Sequence, residues 1–272
     1  MVSQTIILII TFLIGFFIAK NFYQKRYKKK YAQVHMDTLN CVQFPAPKDP
    51  LQAITIATQV TPPAQRMFAS MNKNNLSLTV LGLGCKWQGF GNKTLWLREY
   101  LEKQKASDGS IVLLVDAYDT LCLADQTEII EKFISQKSNM VFSAEKQCWP
   151  SPEAAVHYPE SETDFRFLNA GCAIGYRGAI LETIQKFNIS PIDNDQEVWT
   201  NFFLRNQDSI KLDYRCDIFL NLFGVSKDEF KIVKDDQTRL ILENYYSKPC
   251  ILHGNGPSGE MLDEIASRLK FN

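Results

Sequence analysis

Asp116-Ala-Tyr-Asp119 follows directly on the apolar run Ile111-Val-Leu-Leu-Val115. Two carboxylates three residues apart on a tight turn can converge on one hard cation and on a phosphate carried by it. Acids at a strand end also cap the turn that follows, and this pair alone does not separate the two readings. A second group, His253-Gly-Asn-Gly-Pro257, comes just after the apolar stretch Pro249–Leu252. An imidazole beside two carboxylates is a donor set suited to Mn²⁺, and Gly254 and Gly256 let the backbone approach a ligand. The alternative is a glycine turn with a satisfied histidine. The third group is Asp193-Asn-Asp195-Gln196. Asn194 with Glu197 has the spacing of a capping box, while the flanking Asp193 and Asp195 are free to bind sugar hydroxyls or to act as a base.

Trp87 and Trp149 are either sugar-stacking platforms or core residues, with core the commoner fate of a single tryptophan. Lys93, after Gly89-Phe-Gly-Asn92, either contacts a phosphate or is an exposed lysine without such a task. Arg166 and Asn169 precede a small-residue turn where backbone and ligand could meet.

The elements that must position these groups follow from periodicity. Short apolar runs at Ala53–Ala57, Leu78–Leu81, Ile111–Val115, Met140–Ala144, Ala173–Tyr176 and Pro249–Leu252 read as strands. Helical patterns lie between them, near 62–71, 94–105, 125–136, 178–187 and 196–204, with a last one from about Met261. This alternation predicts an α/β fold with a mostly parallel sheet flanked by helices. In such sheets ligands sit beyond the carboxyl ends of the strands, where Asp116 and His253 fall.

The 272 residues carry thirty basic and thirty acidic side chains. Six of the basic ones lie before position 31, where there is no acid, so the rest of the chain has 24 against 30. A folded part with an acidic surplus argues against nucleic-acid binding. Seven cysteines without a C-x-x-C pair argue against a disulfide scaffold and towards a reducing compartment. Residues 1–19 carry no charge and read as a single transmembrane anchor, followed by a basic, proline-containing linker over 20–50 and the folded part over 51–272. The cluster Lys20–Lys30 predicts a cytoplasmic C-terminal part by the positive-inside rule, with an ER or Golgi lumen as the alternative. Three N-x-S/T sequons, at Asn75, Asn92 and Asn188, would be glycan acceptors in a lumen.

Taken in order, these segments resemble the N-terminal glycosyltransferase domain of the procollagen lysyl hydroxylases, a GT-A-type, Rossmann-like module. The resemblance spans about residues 53–272. It rests on Ile54-Thr-Ile-Ala-Thr58, Leu81-Gly-Leu-Gly84 with Trp87, Lys93 and Leu97-Arg98, Val115-Asp-Ala-Tyr-Asp119, Phe142-Ser-Ala-Glu145, Cys148-Trp-Pro150, Arg166-Phe-Leu-Asn169, Ile174-Gly-Tyr176, Asp193–Gln196 and His253–Pro257. It implies transfer of a hexose from UDP-glucose or UDP-galactose to a hydroxyl acceptor, a hydroxylysine-type protein or a glycan, helped by Mn²⁺. Asp116, Asp119 and His253 would be the metal ligands. Thr58, Lys93, Tyr118, Asn255 and Gly256 would lie along the nucleotide, Trp87 and Trp149 near sugar or acceptor, Asn169 among the donor-binding residues, and Asp193 and Asp195 in the segment implicated in transfer.

Three departures qualify it. Ser258-Gly259 stands where the family carries a lysine, Asn194 interrupts the acidic run, and the glycine loop is shortened to Gln88–Asn92. The missing cation motivates the alternative of a weakly active or inactive sugar-nucleotide-binding scaffold. The expectation is a transferase domain without an accompanying iron- and 2-oxoglutarate-dependent hydroxylase domain, with collagen one acceptor among several. A phosphatase of the haloacid dehalogenase type fits less well, since it needs Asp-x-Asp rather than Asp-x-x-Asp.

Overall fold

The computed structural model describes residues 51–234 and 238–271. The expected anchor at 1–19 and the linker at 20–50 lie outside them. Among the described residues no helix is long and apolar enough to cross a membrane.

The principal sheet has six strands in the order β2-β1-β3-β6-β5-β7. They are β1 (Leu51–Ile56), β2 (Leu78–Leu81), β3 (Ile111–Asp116), β5 (Met140–Glu145), β6 (Phe167–Tyr176) and β7 (Lys211–Asp213). β1 pairs in parallel with β2 and β3, and β5 in parallel with β7, whereas β6 runs antiparallel to both of its neighbours. The sheet is therefore mostly parallel, as the alternation predicts, with one reversed strand. β1, β3 and β5 are apolar and buried almost throughout, as strands buried on both faces are.

The helices are α1 (Pro62–Lys73), α2 (Gly91–Lys103), α3 (Gln126–Ser135), α4 (Arg177–Gln185), α5 (Asp195–Arg205) and α6 (Gly259–Arg268). α1 begins as its sequence dictates. Thr61 accepts from the Ala64 amide at 3.4 Å, and two prolines occupy the first turn. α5 is capped by Asn194, whose side-chain oxygen accepts from the amides of Gln196 and Glu197.

A second sheet has three strands in the order β4-β11-β8: β4 (Thr120–Cys122), β8 (Phe219–Asn221) and β11 (Ile251–His253). β9 (Phe230–Lys234) and β10 (Thr238–Leu242) form a separate hairpin. Apart from β11, which overlaps the expected strand at Pro249–Leu252, these short strands are the main departure from the sequence-based elements. Three-residue strands carry no periodicity, and they exist because they pair with one another rather than through local propensity.

The reversed strand decides what meets where. Ile56 aligns with both Leu81 and Asp116, so β1, β2 and β3 finish together at one edge. Because β6 is antiparallel, its beginning lies at that same edge, beside the end of β5, with Asn169 opposite Ser143 and Phe167 opposite Glu145. Asp116, Glu145 and Asn169 are thereby delivered to one side of the sheet.

Candidate active site

Asp116 closes β3, and the chain turns through Ala117 and Tyr118 to Asp119 before entering β4. The Thr120 hydroxyl donates to the Asp116 carbonyl at 2.6 Å and pins this turn. In the small sheet, Thr120 pairs with His253 and His253 pairs with Asn221. The Gly254 amide donates to the Asp119 carbonyl at 2.7 Å, locking the C-terminal turn onto the mid-chain one. The pairing register, not proximity in sequence, therefore carries the imidazole to the two carboxylates. His253 Nε2 lies 3.3 Å from Asp119 Oδ2 and 3.9 Å from Asp116 Oδ2. One ligand atom from each of the three side chains falls within 4.8 Å of the others.

The His253 side chain is 4% exposed, while those of Asp116 and Asp119 remain 31% and 37% open. Gly171, on β6, makes the room. A Cβ there would come within 2.2 Å of His253 Cε1. The run of small residues after Asn169 is part of β6 rather than a turn, and its use is to let this ring in.

Lys93, in the first turn of α2, places its ammonium 2.7 Å from Asp116 Oδ1 and 3.3 Å from Asp195 Oδ2. It thus bridges the carboxylate pair and the acidic segment. Burial opposes the charge on Lys93, but Asp116 and Asp195 outweigh it and hold the ammonium above its ordinary pKa. Burial raises the carboxyl of Asp116, Lys93 works the other way, and the like charge of Asp119 adds to the rise. For Asp119 burial is overcome by His253, and its carboxyl is held down. Burial works against the His253 imidazolium, yet the facing carboxylates raise its pKa. Three acids thus share one lysine and one histidine. A divalent cation would relieve the Asp116–Asp119 repulsion, and the set of two carboxylates and one imidazole fits Mn²⁺.

Next to this group lies a carboxylate with a different environment. Glu145, 3% exposed at the end of β5, accepts from Asn169 Nδ2 at 3.0 Å and Gln196 Nε2 at 2.9 Å through one oxygen. Its other oxygen accepts from Asn255 Nδ2 at 2.8 Å. Burial raises its pKa against these bonds. Gln196 also donates to the Trp149 carbonyl and accepts from the Ala170 amide, Asn169 accepts from the Gly171 amide, and Asn255 accepts from the Phe223 amide. One side chain ties together β5, β6, α5 and the turn after β11.

The sequence-based candidates divide accordingly. Asp116, Asp119, His253, Lys93 and Asp195 are brought together. Thr58 and Tyr118 are neighbours, the Tyr118 hydroxyl accepting from the Thr58 amide at 3.2 Å. Trp87 and Trp149 are not core residues: they are 41% and 51% exposed. Asp193 is turned to its own loop, its carboxylate accepting from the Ser190 amide at 2.6 Å. The side chains of Asn169 and Asn255 are engaged within the frame, and Gly256 serves the turn with φ of 59°. Arg166 is also a framing residue, donating to the carbonyls of Tyr158 and Pro159. Reasoning from motifs left Glu145, Gln196 and Asn221 without assigned roles. An acid closing an apolar strand, the signal that singles out Asp116, marks Glu145 as well.

The PLOD GT domain model matches residues 47–270. The multifunctional procollagen lysine hydroxylase and glycosyltransferase LH3 of Rattus norvegicus is 34% identical over 237 residues, covering 82% of this chain and 32% of that protein. The corresponding Caenorhabditis elegans protein is 34% identical over 234 residues, covering 80% and 32%. The chain thus spans about a third of the length of the curated relatives it matches. Among solved structures, a glycosyltransferase involved in glycosylation of the major capsid of PBCV-1 superposes with a TM-score of 0.50 at 12% identity, over 81% of this chain and all of that one. That likeness is one of fold.

Proposed function

The chain belongs to the PLOD GT domain family, the GT-A-type glycosyltransferase domains of procollagen lysyl hydroxylases, and from that premise we propose that it transfers a hexose from UDP-glucose or UDP-galactose to a hydroxyl group with the help of Mn²⁺. The observation that carries this reading is the meeting of Asp116, Asp119 and His253 beyond the strand ends, with Lys93 and Asp195 beside them. In the proposal Asp116, Asp119 and His253 hold the metal. When bound, that ion would offset the negative charge that builds on a departing nucleoside diphosphate. Lys93 holds Asp116 and Asp195 at a fixed separation and supplies a positive charge at the same place. Asp195, 5% exposed and paired with Lys93, is the better candidate of the two acidic-segment residues to meet sugar or acceptor. Asp193 shapes the loop that leads to it. Tyr118 and Thr58 form the wall where the nucleotide base would rest, and Trp87 and Trp149 are exposed faces on which a sugar ring can stack. The acceptor we assign is a hydroxyl-bearing protein side chain or glycan, hydroxylysine of a collagen-like substrate being the first to try.

The test is UDP release measured across nucleotide sugars with and without Mn²⁺. Metal-dependent release from a UDP-hexose is expected. UDP binding without turnover on a broad acceptor panel would instead favour a scaffold.

For location, the Lys20–Lys30 cluster supports a membrane-anchored protein with this part on the cytoplasmic side. Asn92 is 1% exposed and accepts from the Gln88 amide, so it is a poor reporter of glycosylation. Asn75 and Asn188 are exposed, and a glycan on either would place this part in a lumen.

A further inference from the structure

We infer that Asn221 is a positioning residue for the metal ligand His253: it selects which ring nitrogen faces the two carboxylates. Asn221 is fully buried at the end of β8 and pairs with His253 across the parallel β8–β11 register. Its Oδ1 lies 2.7 Å from His253 Nδ1. Its amide nitrogen donates to the Ala144 carbonyl at 2.8 Å, which settles the orientation of the amide group and leaves Oδ1 as an acceptor. Nδ1 must then carry a proton, in either charge state of the ring. In the neutral ring the lone pair resides on Nε2, the nitrogen 3.3 Å from Asp119 and 3.9 Å from Asp116.

The arrangement has two restraints on one ring. Gly171 admits the imidazole against β6 and Asn221 fixes its rotation and tautomer. A ligating histidine whose second nitrogen donates to an oxygen acceptor is held in the ligating orientation and made a better donor. The inference rests on the metal reading proposed above.

The experiment is Mn²⁺ titration of the whole chain in the presence of UDP, with the free ion followed by electron paramagnetic resonance. Wild type, His253→Ala, Asn221→Leu and Asn221→Asp are compared, and the thermal transition of each metal-free protein is recorded. Asn221→Leu removes the acceptor and should raise the Mn²⁺ dissociation constant roughly 10–100-fold. Asn221→Ala reads the same loss if leucine is not accommodated. Asn221→Asp keeps an oxygen acceptor for Nδ1–H but loses the donor to Ala144, and should bind Mn²⁺ within a few-fold of wild type. A residue that merely tied β8 to β5 would make the aspartate as harmful as the leucine, since both lose the bond to Ala144. A folded Asn221→Leu protein with wild-type affinity, or an aspartate variant as impaired as the leucine one, overturns the inference while leaving the metal site standing. Equal affinity of wild type and His253→Ala overturns the metal reading itself, and the inference with it.

Discussion

Asp116 and Glu145 are alike in sequence and opposite in circumstance. Each is an acid that closes a buried, apolar strand of the main sheet. Glu145 is nearly sealed from solvent and spends its lone pairs on three neutral amides from three different segments. Asp116 keeps an open side, shares its charge with Lys93 and faces a second carboxylate and an imidazole. Saturated hydrogen bonding makes the first a frame. Incomplete charge compensation leaves the second with room for a further cation, because like charges held together in a partly dry cavity are stabilised by one.

This contrast can be broken most sharply at Asp119. Asp119→Ala should reduce metal-dependent transfer by on the order of 10³-fold, as loss of a preorganised electrostatic contact does, with little change in thermal stability. A variant that unfolds instead, or that retains turnover, would erase the distinction between site and frame. Glu145→Leu should do the opposite. It strands three buried amide donors and should lower stability by on the order of 3 kcal/mol in denaturant unfolding. A stable Glu145→Leu protein without activity would move Glu145 from the frame into the chemistry.

A subtler probe is Gly171→Ala, where the added methyl must displace the His253 ring. Turnover should fall about 10-fold or more while the fold survives, read by kcat/KM at saturating and limiting Mn²⁺. The fall should shrink at saturating metal if the ring has only lost affinity for it.

The smallest effect lies away from the site. Arg239 holds Glu128 through two contacts of 2.5 and 2.9 Å, and Lys132 adds a third at 2.7 Å. Burial resists the Glu128 charge, but these cations hold the carboxyl down to about 2 from an ordinary value of 4.5. The depressed pKa stabilises the folded state fully above pH 4.5 and is lost as pH falls through 2. Glu128→Gln should therefore unfold more readily than wild type near neutral pH, by about 1 kcal/mol once solvent screening is allowed for. The two melting curves should converge on acidification towards pH 2. A difference that persisted unchanged in acid would show that packing, not charge, holds this pair.

How much of this was legible in the sequence follows the same physical divide. The long strands β1, β3 and β5 and the helices between them announce themselves by periodicity and, for α5, by the cap at Asn194. Asp116 and Asp119 stand where a strand's end must put them, and His253 was found by the glycine turn around it. The reversal of β6 was not legible, because an antiparallel strand flanked by parallel ones looks the same as they do. The short strands β4 and β8 were not legible either. Asn221 therefore went unseen, since its meaning comes entirely from the residue it is paired with. Asp193 and Asp195, equivalent by spacing, separate only once the loop at Ser190 and the reach of Lys93 are known.

The most direct test is a crystal of the protein grown with Mn²⁺ and UDP, read by anomalous scattering from manganese. One strong peak bounded by the carboxylates of Asp116 and Asp119 and by His253 Nε2 is the result expected here. Manganese bound elsewhere, with these three side chains contacting only one another and Lys93, would contradict it.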